Sequence, residues 1–388
     1  MRVLLSTIGT RGDVEPVLGL ATALRKLGQE VRVCAPPDFR DWVEGFGVPF
    51  TPVGPEVRRP AAAQAKPTPE QLRQSVADTV AAQFGTITDV AADCDVLVGA
   101  GALQIALRSI AESQGKPYVF AAYCPITLPS RHHAPPALPG RTATGDNLTR
   151  WHEDAGFWNQ LWGPHLNEHR SVAGLAPVEN VRDHVFTDRP WLATDPLLGP
   201  WPGEEDVLQT GAWIRPDDRP LSRELEAFLS AGEPPIYFGL GSSQGVGPNL
   251  DEVMIETARA LGRRAILHRG WADLSLVDDA PDLISIGEVN QQALFPRVAA
   301  VVHHGGAGTT HTTTRAGVPQ VVLPQSYDQY YWGQRVTALE VGAIGSESLL
   351  DALKRVLEPE VAEQARAVAG WTRADGAEVA ARHLVALA

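Results

Sequence analysis

Eight consecutive residues, His303-His304-Gly305-Gly306-Ala307-Gly308-Thr309-Thr310, set two imidazoles, three glycines and two hydroxyls directly after an apolar run ending in Val301-Val302. Glycine lets a backbone turn tightly and approach a ligand. A helix starting at that point aims unsatisfied N–H groups and about half a positive charge at the ligand, which suits a diphosphate. The backbone at Gly306, Ala307, Gly308 and Thr309 would hold it, and His304 would add one more donor. A second glycine loop, Gly239-Leu240-Gly241-Ser242-Ser243, offers the Ser242 hydroxyl to a phosphate. Further on, Asp328-Gln329 places an acid beside an amide, the groups a site uses to read sugar hydroxyls.

Such groups need a scaffold that brings loop ends together. Residues 301–329 read as two buried strands joined through the glycine loop and a helix, a phosphate-binding βαβ unit. Upstream, a helix over 221–231 and strands at 235–239, 263–267 and 283–286 continue the alternation, with a helix starting near Asn249. In open α/β sheets ligands sit at the carboxyl ends of the strands. Trp271 and Val289, which follow two of these strands, are therefore candidates to hold a flat base; Trp271 suits core filling equally well. After Gly342 the chain reads as helices from about Glu347 onward.

The first half has the same rhythm. Strands are expected at 2–8, 30–34, 50–53, 95–99, 118–122 and 191–195, with helices from Pro16, over 38–46, 70–93 and 102–114. Gly9-Thr10-Arg11-Gly12-Asp13 forms the first glycine break. Residues 58–69 read as a loop, and 125–146, with five prolines and no usable period, as a long functional loop. His132 and His133 in that loop are candidate acceptor contacts, against solvated histidines as the alternative. Trp158 and Trp162 in the following helix either line an apolar acceptor pocket or pack the core. Five prolines and three glycines in 196–220 mark a connector. The expected domains are 1–200, a linker over 201–220, and 221–388, with the last helix able to pack back on the first domain.

Composition bounds the partners. The 388 residues suit two domains, and a net charge of −13 gives no overall field toward nucleic acid or an anionic membrane. No run reaches the ~18 apolar residues of a membrane helix, and no signal-peptide pattern opens the chain. A cytoplasmic location and small-molecule partners are expected. Cys34, Cys94 and Cys124 lack the spacing of a zinc site or redox pair, and no acidic metal-binding cluster is evident. Oligomeric state is left open.

Taken together these motifs resemble a specific family. GTRGDVEP at 9–16, GEVNQQALF at 287–295, and HHGGAGTT with YDQ are similar to the signatures of inverting, metal-independent glycosyltransferases. That family includes plant secondary-product, sterol and actinobacterial antibiotic enzymes. The likeness covers nearly the whole chain. CAPPDF, HRGWADL, QTGAW and LPSRHHAPP resemble the actinobacterial enzymes that decorate glycopeptide and aromatic polyketide scaffolds. The resemblance implies an α/β fold of the GT-B type, two Rossmann-like, doubly wound parallel-sheet domains facing across a cleft. It implies no cofactor and no metal, only a dTDP- or UDP-sugar co-substrate.

The resemblance further implies residue roles. Asp13 would be the general base, where plant relatives carry a histidine; capping the following helix is its alternative role. Thr10 and Gly12 would join the donor contacts, and Asp328 and Gln329 would orient the sugar. The family's ribose-binding glutamate corresponds to Thr312, which suits a nucleotide without a 2′-hydroxyl, although sterol enzymes also lack that acid and use UDP-glucose. Relatives usually have a longer connection at 341–346. The expected activity is sugar transfer to a small apolar or aromatic natural product. The rival readings are a non-catalytic nucleotide-sugar-binding or auxiliary protein, a sterol-type UDP-glucose enzyme and an epimerase; a dinucleotide oxidoreductase would need a GxGxxG loop, which GTRGDV is not. Acceptor, sugar, and O- versus C-attachment are left open.

Overall fold

The valine- and leucine-rich runs form two separate sheets in the computed structural model, which describes residues 1–58, 68–136, 144–203, 205–243, 249–278 and 280–387. Two units result. The first comprises Met1–Pro196, Pro200–Arg215 and Ala374–Ala388, the second Leu197–Gly199 and Pro216–Arg373. Parts of the expected loops at 58–69 and 125–146, namely 59–67 and 137–143, lie outside the described residues.

In the first unit the strands are β1 (Arg2–Thr7), β2 (Glu30–Ala35), β3 (Phe50–Pro52), β4 (Val96–Ala100), β5 (Tyr118–Ala122), β6 (Trp191–Leu192) and β7 (Leu208–Gln209). They pair in parallel in the order β3-β2-β1-β4-β5-β6-β7. The helices are α1 (Arg11–Lys26), α2 (Arg40–Glu44), α3 (Pro69–Ala92), α4 (Leu107–Ser113), α5 (Asn147–Val172) and α6 (Val181–Phe186). Strand order reverses between β1 and β4, so the loops after these strands open a crevice at their carboxyl ends. Leu4 and Leu97 bury against Ile87, Leu107 and Ile110 of the covering helices.

The second unit contains α7 (Arg223–Ser230), β8 (Ile236–Gly239), α8 (Leu250–Ala260), β9 (Ala265–His268), β10 (Leu283–Ile286), α9 (Gln291–Leu294), β11 (Ala300–His303), α10 (Ala307–Arg315), β12 (Gln320–Val322), α11 (Gln329–Ala338), β13 (Gly342–Ile344), α12 (Leu349–Val356) and α13 (Pro359–Ala369). Its all-parallel order is β10-β9-β8-β11-β12-β13, reversing between β8 and β11. Successive residues face opposite layers. Ile236, Phe238 and Val302 join Ile255 and Leu353 on one side, while Tyr237 and Val301 join Phe295 and Val318 on the other. The last helix, α14 (Gly376–Leu387), belongs to the first unit and lies against α1.

Helix α1 starts at Arg11, not at Pro16, because Thr10 and Asp13 cap it there, and three further elements differ from the sequence reading. Helix α4 starts at Leu107, not at 102, because Gly101 takes a left-handed φ of 79° and Gln83 captures the intervening turn. The Gln83 amide donates to the Leu103 carbonyl at 2.9 Å and accepts the Ala106 N–H at 2.9 Å. Strand β7 falls inside the stretch read as a connector, and most of that stretch counts with the first unit. Strand β13 occupies 342–344, where only a connection to helices was expected. Among the described residues no helix is long and apolar enough to cross a membrane.

Candidate functional site

In the second unit the glycine loop expected to hold a phosphate begins where β11 ends. Gly305 takes a left-handed φ of 89°, and a Cβ there would come within 2.6 Å of Val322 and 3.1 Å of the Gln329 carbonyl. Only glycine fits that turn. Gly306 caps α10, and its carbonyl accepts the Thr310 N–H at 3.0 Å. The N–H groups of Ala307, Gly308 and Thr309 belong to the first turn, where a helix offers no internal acceptor. No acid occupies that turn, so nothing offsets its positive end.

His304 stands between two glycines. A Cβ on Gly241 would lie 2.8 Å from its Cε1, and one on Gly306 2.4 Å from its Nε2. Burial pushes its imidazole down to about 4, so it is neutral at pH 7 and acts as a hydrogen-bonding group, not a charge. Its Nδ1 is buried without a hydrogen-bond partner among the described residues. Nε2 is therefore the nitrogen available to a ligand.

Because β9, β8 and β11 are adjacent and parallel, the loops after them converge. The Trp271 N–H donates to the Gly241 carbonyl at 2.9 Å, one residue from Ser242. Gly270, at φ 54°, passes so close that a Cβ would lie 2.6 Å from the same carbonyl. Val289 follows β10 and packs partly buried on the core below. Its neighbour Asn290 is spent on structure, donating to the carbonyls of Asp217 at 2.7 Å and Arg219 at 2.8 Å. Exposed Arg269, one residue after β9, brings a guanidinium nitrogen 3.3 Å from where a Gly287 Cβ would be, a cation on this edge that sequence motifs did not single out.

Beyond β12 the chain turns through Tyr327, at a left-handed φ of 55°, into Asp328 at the start of α11. The Asp328 carboxylate accepts the Trp332 indole N–H at 2.9 Å. Burial raises this acid to about 6, with the indole bond opposing. The Gln329 side-chain oxygen accepts the N–H groups of Gln325 at 2.7 Å and Ser326 at 3.2 Å, so only its amide nitrogen remains for a sugar. Read along the carboxyl edge, the strand order β10-β9-β8-β11-β12 places Val289, Trp271, Ser242, His304 to Thr309, and Asp328 in sequence. Thr312 lies on the half-exposed face of α10.

In the first unit Thr10 caps α1 and Asp13 sits three residues in. The Thr10 N–H donates to Asp13 Oδ2 at 2.7 Å, and the Asp13 N–H to the Thr10 carbonyl at 3.0 Å. Asp13 thus caps the helix from its N3 position, and the carboxylate is fixed in direction. A Cβ on Gly9 would lie 2.1 Å from Oδ2, and one on Gly101 3.5 Å from Oδ1. The Tyr123 hydroxyl donates to the Asp13 carbonyl at 3.0 Å from the end of β5. Gly12 is exposed in the same turn. Asp13 therefore occupies the β1/β4 crevice, while Thr10 and Gly12 share its helix start and the other expected donor contacts lie in the second unit.

The expected acceptor contacts differ in their surroundings. Trp162 is 8% exposed and packs with Phe120, Leu166 and Val181 in the core. Trp158 meets Phe186 edge-on at 5.3 Å against the same cluster. The Trp162 indole is committed to packing, while Trp158 is half-buried. His132 is exposed, and its N–H donates to the Ser130 hydroxyl at 3.2 Å. His133 is half-buried, bonded to the Leu128 carbonyl at 2.9 Å and edge-on to Trp151 at 6.0 Å and Trp201 at 5.8 Å. Burial lowers its basicity. This aromatic box follows β5 and β6, on the edge that carries Asp13.

Comparison with known proteins bears on these groups. Residues 3–130 match the glycosyltransferase family 28 N-terminal domain, and 252–380 the erythromycin biosynthesis protein CIII-like C-terminal domain. The chain is 49% identical over 398 residues to vancomycin aglycone glucosyltransferase of Amycolatopsis orientalis, covering 99% of this chain and 97% of that protein. It is 42% identical over 377 residues to dTDP-epi-vancosaminyltransferase of the same organism, covering 95% and 91%. A solved glycotransferase of kitacinnamycin shares the fold, with a TM-score of 0.76 at 19% identity over 99% of this chain and 98% of the other.

Proposed function

The chain belongs to the GT-B glycosyltransferases of antibiotic biosynthesis, and from that premise we propose that it moves a hexose, with inversion, from a dTDP- or UDP-sugar to a hydroxyl of an aromatic natural product. The carrying observation is the order of groups along the second sheet's carboxyl edge. It matches the order of parts in a nucleotide sugar: base against Trp271 and Val289, diphosphate against Ser242, His304 and the α10 amides, sugar against Asp328 and Gln329.

In this mechanism the acceptor oxygen attacks the anomeric carbon as the bond to the phosphate oxygen breaks. The bonding pair leaves with the nucleoside diphosphate, and the hydroxyl proton passes to Asp13. A single displacement inverts the anomeric centre. The developing charge on the diphosphate meets preorganised N–H donors at Gly306 to Thr309, the neutral His304 and the Ser242 hydroxyl, a contribution of about 3 kcal/mol per well-placed donor. We assign the leaving-group stabilisation to these donors, with no metal or cofactor invoked.

Thr312 supports dTDP over UDP, since it supplies no carboxylate for a ribose 2′-hydroxyl. The relative named for a dTDP-sugar points the same way, and the relative named for the vancomycin aglycone supports a glycopeptide-like aromatic acceptor. The test is incubation with dTDP-glucose or UDP-glucose and an aromatic glycopeptide aglycone. The expected product is a β-glycoside from the α-linked donor. Donor binding without any transfer across a panel of aromatic acceptors would overturn the reading, and selective stabilisation by ADP or NAD would overturn the donor class.

A further inference from the structure

The two adjacent histidines of the phosphate loop differ in environment. His303, the last residue of β11, is 0% exposed, with both ring nitrogens engaged. Its Nδ1 accepts the Gly305 N–H at 3.1 Å, so that nitrogen carries no proton. Nε2 must then bear the hydrogen, which points to the Gln320 side-chain oxygen at 2.9 Å. Gln320 is also 0% exposed, and its amide nitrogen donates to the Thr314 hydroxyl at 2.9 Å. That hydroxyl in turn donates to the Thr310 carbonyl at 2.9 Å. Every hydrogen in this chain runs in one direction, and each is used once.

We propose that His303 is a positioning residue for the diphosphate, an imidazole locked in the Nε2–H tautomer that sets the Gly305 turn and couples it to the buried face of α10. Through this relay the same side chain fixes the loop at one end and the helix at the other. It thereby aims the N–H groups of Gly306 to Thr309, while His304 meets the phosphate directly. Protonation of His303 would set an Nδ1–H against the Gly305 N–H; burial holds the ring at about 3, so the relay keeps one state across working pH. The role rests on the donor reading above, and its test separates the two.

In ¹⁵N-histidine-labelled protein, the signal that His303→Asn removes from the two-bond ¹⁵N–¹H spectrum should be that of a ring fixed as Nε2–H from pH 5 to 9. An Nδ1–H tautomer, or a ring that titrates in this range, overturns the proposal whether or not any nucleotide binds. For function, His303→Leu should weaken dTDP binding about tenfold or more, the scale of an unsatisfied buried amide. His303→Asn, whose Oδ1 takes the place of Nδ1, should restore affinity to within about threefold. Equal affinity in the folded Leu variant and wild type refutes the positioning role. Wild-type protein that binds neither dTDP nor UDP refutes the donor reading instead, leaving the tautomer result to stand by itself.

Discussion

His304 and Gly306 approach so closely that a Cβ on the glycine would lie 2.4 Å from the imidazole Nε2. Gly306→Ala therefore has to displace His304 from the loop. The expected result is a dTDP dissociation constant raised about 10- to 100-fold, from one lost charge-assisted hydrogen bond and the strain of overpacking. Calorimetric titration measures it. His304→Ala should act similarly, and in the double variant the two losses should add to much less than their sum. Fully additive losses would mean the two residues serve different parts of the ligand.

Burial pushes the Asp328 carboxyl up to about 6. As an acceptor for sugar hydroxyls it works best ionised. The Michaelis constant for the nucleotide sugar should rise as pH falls through about 6, while the affinity for dTDP alone stays level over the same range. Asp328→Asn should flatten that pH profile. For stability the sign is opposite: a raised carboxyl favours the folded state most below its unfolded value of 3.8, and this contribution is lost as pH rises through about 6. Chemical denaturation at pH 4 and 7, wild type against Asp328→Asn, measures it.

Trp162 is a core residue in this structure. Trp162→Ala should cost about 3–5 kcal/mol of folding stability by denaturant titration. The acceptor Michaelis constant of the remaining folded enzyme should change less than about threefold. A large rise in that constant with intact stability would return the indole to the acceptor site.

Thr312 offers a direct handle on nucleotide choice. Thr312→Glu adds a carboxylate on the half-exposed face of α10, and a hydrogen bond to the 2′-hydroxyl should shift the ratio of UDP to dTDP affinity toward UDP by about tenfold. Competition binding reads the ratio. An unchanged ratio would place the ribose elsewhere.

Much of the fold was legible because buried parallel strands are dense in Val, Leu and Ile: β1, β2, β10 and β11 fall where those runs lie. Strands β7 and β13 span two and three residues, too few for any period to show. The start of α4 was hidden because the Gln83 side chain, some twenty residues upstream, holds the turn that precedes it. Glycine positions announced the tight turn after β11, since a left-handed φ and the close approach of Val322 and the Gln329 carbonyl require glycine at Gly305. The aromatic residues were not decided by sequence. Trp158 and Trp162 have helical spacing that serves a pocket wall or a core alike, and His132 and His133 differ only in tertiary contacts. The relay through Gln320 and Thr314 links adjacent strands to a helix and has no local signature.

The central claim is that Asp13 accepts the acceptor's proton in a sugar transfer. Asp13→Asn tests it most directly, because the amide oxygen can still take the Thr10 N–H that Oδ2 now holds at 2.7 Å, so the helix start is preserved while the base is removed. The decisive measurement is single-turnover transfer from a dTDP- or UDP-sugar, with nucleotide affinity and thermal stability recorded on the same samples. The account predicts a rate lower by about 10²- to 10⁴-fold with dTDP affinity and melting temperature close to wild type. Transfer at a rate within a few-fold of wild type would contradict it.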